Sequence, residues 1–308
     1  MKFCLIDAGI FIDKPELLDP LRAIGEVEVF NGIPAGTEEV IDRAGDADVI
    51  AFGLMQFTEE MLDALPKLKV LQFIGTGMWN FVNVDYAESK GIRVLNIDGY
   101  GSNAVAEFAT AMALSLAKNI PPADRVLKED RWTIDGLMGK EIKGSTVGVV
   151  GTGSIGRLSA EKFAALGAEV IACDIYESEY LKENYNIQYK SMKEVFMEAD
   201  IVTLHMKVTE ENERIIDHKL LSLMKKDALL INVARAELVN TEDLYKALIS
   251  GNLAGAAIDV YDSEPPTARD YQLAQLKNVI ATPHIGYYTQ EANDNSIKMA
   301  VSSILASL

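Results

Sequence analysis

The sequence predicts an α/β protein made of two doubly wound parallel-sheet domains. A chain of 308 residues, half of them hydrophobic, is long for one core and sufficient for two. Short apolar runs alternate with helical segments from the first residues onward, the pattern of strands joined by crossover helices. A glycine-rich turn, Gly151-x-Gly153-x-x-Gly156, joins the apolar run at 146–150 to a segment in which Ile155, Leu158, Phe163 and Leu166 share one helical face.

Taken in order, residues 3–6, 27–30, 48–53, 70–74 and 93–97 read as strands. Residues 15–24, 37–44, 58–65 and 84–90 read as the helices between them, two of these opened by Thr. This lobe has its own Gly75-x-Gly77, but Asn80 stands at the third position of the fingerprint, so the turn is a poor dinucleotide site. Its small residues after a strand still offer backbone N–H groups to an anion. Ser102 and Asn103 are placed to cap a helix over 104–118, apolar on most of its surface and stopped by Pro121-Pro122. Residues 123–143 read as charged and irregular, with Trp132 among them. After the glycine-rich turn come strands at 170–173, 200–205, 228–233, 254–260 and 279–281. Helices are expected at 191–198, 219–224 and 241–250, the last opened by Thr241 and closed by Gly251, with a final helix over 289–306.

Composition narrows the partners. A formal net charge of −17 repels nucleic acid and anionic membrane surfaces, so neither is an expected partner, and a small anionic ligand would need an Arg placed for it. The two cysteines, Cys4 and Cys173, lie in apolar strands and read as buried thiols of a reducing compartment. With only three histidines, none close to another in sequence, no metal site is expected. The chain enters a strand at once, with no signal-type segment and no apolar run long enough to span a bilayer; a cytoplasmic protein is expected.

The glycine turn is where chemistry first becomes readable. Gly151, Thr152, Gly153, Ser154, Ile155 and Gly156 form a tight bend after a strand, and the following helix presents its N-terminus to a pyrophosphate. Alone, such a pattern is weak. About 18 residues beyond Gly156, however, a second apolar strand ends in Asp174, the position from which a carboxylate accepts hydrogen bonds from an adenosine ribose. Ile175, Tyr176 and Glu177 follow, with no cation for a 2′-phosphate, which favours NAD over NADP. In sheets of this kind ligands lie beyond the carboxyl ends of strands. There the second lobe carries His205, Arg235 after Val233 and Ala234, Asp259, Glu264 and His284. Each has a structural alternative, as a solvated Arg or a satisfied His.

Asn232-Val-Ala-Arg235-Ala-Glu-Leu-Val-Asn240, Ile258-Asp259-Val-Tyr-Asp-Ser-Glu264-Pro265 and Thr282-Pro-His284-Ile-Gly286, in that order, resemble the three signatures of the NAD-dependent D-2-hydroxyacid dehydrogenases. Residues 99–107, 132–144 and Leu204-His205 extend the resemblance over nearly the whole chain. It implies a Rossmann NAD-binding domain, 100–281, inserted in a flavodoxin-like substrate domain, 1–99 and 282–308. It implies that Arg235 binds the substrate carboxylate and polarises the 2-keto oxygen, and that His284 is the acid in reduction and the base in oxidation, oriented by Glu264. Asp259 would lie near the nicotinamide, and Thr76, Gly77 and Met78 would supply backbone donors to the substrate carboxylate. His205 would line the cofactor crevice through its backbone. An unperturbed His, pKa near 6.5, is about a quarter protonated at pH 7, and a carboxylate raising it by about one unit makes that about three quarters. Arg suits its role because its planar fork meets a carboxylate in bidentate geometry and stays charged.

The expected activity is interconversion of a small 2-oxo acid and its D-2-hydroxy acid. The alternative is an NAD(H)-sensing protein like the corepressor branch of the same family, which keeps the same trio. Ala236 stands where Gly is usual and Asn240 where Asp is usual. The 75–85 loop is about three residues longer than the common form, making Met78, Trp79 and Phe81 candidates for an unusual substrate wall or for packing. Glu264, where formate dehydrogenases carry Gln, argues against that branch. The chain ends soon after its last helix, with no room for the regulatory domain of longer phosphoglycerate dehydrogenases. The apolar 104–118 helix, with the resemblance, predicts a homodimer.

Overall fold

Lys2–Leu5 (β1), Glu26–Val29 (β2), Val49–Phe52 (β3), Val70–Phe73 (β4) and Arg93–Leu95 (β5) pair in the order β2-β1-β3-β4-β5, every pair parallel. β3 and β4 are buried along their whole length, as a sheet covered on both faces requires. In this computed structural model, which describes residues 1–308 apart from the side chain of Asn80, the chain forms two units: Met1–Gly101 with Tyr288–Leu308, and Ser102–Tyr287. The last helix, Gln290–Ser307, completes the first unit, its Ile297, Ala300, Val301 and Ile304 joining the core cluster that holds Val70, Leu18 and Phe3. The chain re-enters this unit at Tyr288, later than the expected 282. The reason is local: Thr282, Ile285 and Gly286 are hydrogen-bonded to Asp259 of the second unit.

The second unit holds seven strands, Thr146–Val150 (β6), Glu169–Cys173 (β7), Gln188–Tyr189 (β8), Ile201–Leu204 (β9), Leu229–Asn232 (β10), Gly255–Ile258 (β11) and Val279–Ala281 (β12). They run parallel in the order β12-β11-β10-β9-β6-β7-β8. The order reverses between β6 and β9, and at such a switch point two adjacent connections leave in opposite directions and open a crevice at the strands' carboxyl ends. Both β6, which runs into the glycine turn, and β9, which runs into His205, end there.

Several elements differ from expectation. Pro121 and Pro122 stop nothing by themselves: they sit in the first turn of a further helix, Ile120–Lys128, where a missing N–H costs no hydrogen bond. The helix expected over 15–24 is a 3₁₀ turn, Pro15–Leu18, followed by one turn of α-helix, Asp19–Arg22. Asn240 rather than Thr241 caps Thr241–Ile249, its side chain accepting from the Asp243 N–H. The helices Glu179–Tyr185 and Ala268–Ala274 and the two-residue β8 had no expectation. The apolar helix Ser102–Ala117 packs Ala109, Met112, Ala113 and Ala117 into the core of its own unit, beside Val147, Val149 and Phe163, so its hydrophobicity is largely accounted for within one chain. No described helix is long and apolar enough to cross a membrane.

Candidate active site

The three candidate catalytic residues all belong to the second unit. β10 ends in Asn232, whose side chain is buried and braces the bend that follows: its Oδ1 accepts from the Ala234 N–H at 3.1 Å and its Nδ2 donates to the Arg235 carbonyl at 3.0 Å. Such side-chain to backbone bonds are how Asn holds a turn. The bend leaves Val233 buried, Ala234 half-buried and Arg235 exposed, with one guanidinium N–H donating to the Ala234 carbonyl.

β11 runs into Asp259, only 2% exposed. Its Oδ1 accepts from the Thr282 hydroxyl at 2.6 Å and the Ile285 N–H at 3.0 Å, and its Oδ2 from the Gly286 N–H at 2.8 Å. Asp259 therefore clamps the loop that carries His284 on both sides of that residue. His284 has φ of 54°, a left-handed conformation unfavourable for a residue with a Cβ, which the clamp holds in place.

The His284 ring meets Glu264, Nδ1 lying 2.7 Å from Oε2 and 2.9 Å from Oε1. A proton on Nδ1 is thus directed to the carboxylate, leaving Nε2 as the nitrogen that can serve a substrate. For Glu264, burial alone raises its pKa. The hydrogen bond and charge of His284, the Tyr261 N–H and the Arg235 charge outweigh burial and hold it below its ordinary value. Tyr261 packs beneath, its hydroxyl donating to the Thr282 carbonyl at 2.8 Å, and burial followed by the Asp259 charge pushes its phenol up to about 12.

The glycine turn has the shape a dinucleotide needs. Gly151 has φ of +91°, and a Cβ there would come within 2.7 Å of the Met206 nitrogen; a Cβ on Gly156 would lie 1.8 Å from the Gly151 carbonyl oxygen. Gly153, between them, has nothing within 4 Å of a Cβ and caps the helix Ser154–Ala165, so the turn is closed on the protein side and open where backbone amides can receive a pyrophosphate. Thr152, Ser154 and Ile155 complete this turn, and Asp174 faces it, its Oδ2 accepting from the Thr152 N–H at 2.5 Å. His205 ends β9 beneath the turn. Its Nε2 bonds the Thr203 hydroxyl at 3.0 Å, and burial pushes its pKa down to about 3, which makes it a neutral structural ring.

In the first unit, Thr76 donates to the Ile97 carbonyl at 3.3 Å, and Gly77, with φ of +91°, turns the chain into a 3₁₀ helix, Met78–Asn80. Met78 and Phe81 pack against the core, Phe81 lying 4.5 Å from the Phe73 ring, whereas Trp79 is 67% exposed. Trp79 lines an open groove of about 530 Å³ together with Gln56, Thr58 and Asp85. Among the described residues no cluster could hold a metal ion. Sequence reasoning assigned no role to Asn232 and placed Asp259 beside the nicotinamide. An Asn directly before a three-residue bend was the one readable signal.

Comparison with known proteins agrees with this architecture. Residues 110–286 match the family model of the D-isomer specific 2-hydroxyacid dehydrogenase NAD binding domain. The D-3-phosphoglycerate dehydrogenase of Methanocaldococcus jannaschii is 36% identical over 274 residues, covering 88% of this chain; the chain spans 51% of that relative's length. An aromatic 2-oxoacid reductase of Clostridium sporogenes is 38% identical over 259 residues, 79% of this chain and 78% of the relative. The structure of D-lactate dehydrogenase from Aquifex aeolicus, complexed with NAD and lactic acid, superposes with a TM-score of 0.83 at 29% identity, covering 100% of this chain and 95% of that one.

Proposed function

The chain belongs to the NAD-dependent D-2-hydroxyacid dehydrogenase family, and from that premise we propose that it reduces a small 2-oxo acid to the D-2-hydroxy acid, with His284 as the acid. The observation that carries the reading is the His284–Glu264 pair at 2.7 Å, on a loop that Asp259 holds on both sides of His284. Bound NADH supplies the hydride. As hydride reaches the keto carbon, negative charge gathers on its oxygen; Nε2 of His284 gives that oxygen a proton, and the fixed cation of Arg235 lowers the energy of the charge while it lasts. Glu264 accepts the Nδ1–H in a hydrogen bond and so fixes the ring with Nε2 toward the substrate. In oxidation the same Nε2 takes the hydroxyl proton back.

The test is turnover of NADH against glyoxylate, pyruvate, hydroxypyruvate and bulkier 2-oxo acids. Arg235→Ala should lower kcat/KM for every accepted acid by roughly a thousandfold while NADH binding survives. Unchanged activity in that variant would sink the proposal. Tight NADH binding with no turnover of any acid would point instead to an NAD(H)-sensing protein.

We further propose a homodimer. Apolar surface remains on the segment after Ser102–Ala117, where Trp132, Ile134 and Met138 are 91%, 85% and 94% exposed, and a second copy of the chain is the occupant the family membership favours.

A further inference from the structure

We propose that Tyr189 is a positioning residue for dinucleotide choice: acting through Thr152, its hydroxyl holds Asp174 where the carboxylate accepts from a ribose hydroxyl and turns away a 2′-phosphate. A one-way chain of hydrogen bonds carries the proposal. The Ser178 N–H donates to the Tyr189 oxygen at 3.0 Å, the Tyr189 hydroxyl donates to Thr152 Oγ1 at 2.9 Å, and the Thr152 hydroxyl donates to Asp174 Oδ2 at 3.1 Å. Its direction is forced at both ends, because a backbone N–H can only donate and an ionised carboxylate can only accept. Two backbone donors complete the set, Thr152 N–H on Oδ2 at 2.5 Å and Tyr176 N–H on Oδ1 at 2.9 Å.

A carboxylate offers about four acceptor positions. Three are filled by Thr152 and Tyr176, and the remaining one lies on Oδ1. A ribose hydroxyl can donate to it; a phosphate that is largely a dianion at pH 7 has no proton to offer there and meets like charge instead. The relay thus leaves Asp174 with one vacancy suited to NAD.

Two features make the tyrosine hydroxyl the element to test. β8 is a two-residue edge strand held to β7 in the register Ala172↔Tyr189, and Ser178 is also the N-cap of Glu179–Tyr185, so the relay ties strand, cap and glycine turn together. The nearby cation, Lys182, lies 5.7 Å from the Tyr189 ring centre and is engaged by Glu177 at 2.5 Å and Glu179 at 2.8 Å. Tyr189→Phe keeps the ring beneath Lys182 and removes the hydroxyl that both donates to Thr152 and accepts from the Ser178 N–H.

Fluorescence titration of the full chain with NADH and with NADPH tests this without turnover. Tyr189→Phe should weaken NADH binding about 3- to 10-fold and NADPH binding less, so that the NADH:NADPH preference falls. The same substitution should have no effect on that preference in a Thr152→Val background, because the acceptor of the tyrosine proton is gone. Thr152→Ser, which keeps a hydroxyl, should retain the preference, and thermal melting should show each variant folded. An unchanged preference in Tyr189→Phe, or the same loss in both backgrounds, overturns the proposal. Should Tyr189→Phe not fold, the Thr152→Val and Thr152→Ser pair decides alone, equal preferences overturning it.

Discussion

His284 stands in a left-handed backbone conformation because Asp259 holds the loop on either side, and this dependence is measurable. In Asp259→Asn one carboxylate oxygen becomes an amide nitrogen that cannot accept from Thr282, Ile285 or Gly286. The ring should then move, lowering kcat about 10- to 100-fold while NADH affinity, read by fluorescence, stays within about twofold. Glu264 carries a pH prediction. Its folded pKa lies below the ordinary 4.5, so its contribution to stability is present above that value and is lost as pH falls through the depressed one. The melting-temperature gap between the wild type and Glu264→Gln should therefore narrow on acidification below 4.5. Asp7 holds a loop of the first unit in the way Asp259 holds the His284 loop. Fully buried at the end of β1, it accepts from the Gly53, Leu54 and Met55 N–H groups at 2.8, 2.8 and 2.7 Å. Asp7→Ala leaves three amides without that acceptor and should cost about 2–4 kcal/mol in denaturant unfolding.

At the scale of elements, legibility followed length and punctuation. Strands such as β3 and β6 were readable because they are near-continuous apolar runs, and Thr37–Ala44 matched its expected bounds because Thr and Gly mark its ends. Two-residue β8 has no periodicity to read; it exists because Ala172 pairs with Tyr189. Ile120–Lys128 was hidden by two prolines that look like a stop but are tolerated in a first turn. The cap at Asn240 rather than Thr241 shows a boundary that two adjacent cap-forming residues leave open until the backbone dihedrals are known. Since the Asn240 side chain satisfies the Asp243 N–H, Asn240→Ala should lower stability by about 1 kcal/mol in urea titration, and Thr241→Ala should lower it less.

At the scale of the whole molecule, the apolar helix Ser102–Ala117 had suggested a dimer seam, yet it finds its partners inside its own unit, and the exposed apolar residues lie just beyond it. Trp132→Glu combined with Met138→Glu should convert a dimer seen by sedimentation at micromolar concentration into a monomer; a wild-type monomer would remove the dimer proposal. What the sequence determined by itself was the order of strands and helices, the glycine turn and the residue types beyond each strand, because these rest on short-range periodicity, turn chemistry and a recognisable ordered set of motifs. Tertiary structure decided which polar groups face one another. It set Asp259 to clamp the His284 loop, brought Tyr189 through Thr152 to Asp174, and left Trp132 rather than Met112 in solvent. Those outcomes depend on contacts between residues distant in sequence, where burial and a single hydrogen-bond partner settle what a side chain does, and no local pattern records them.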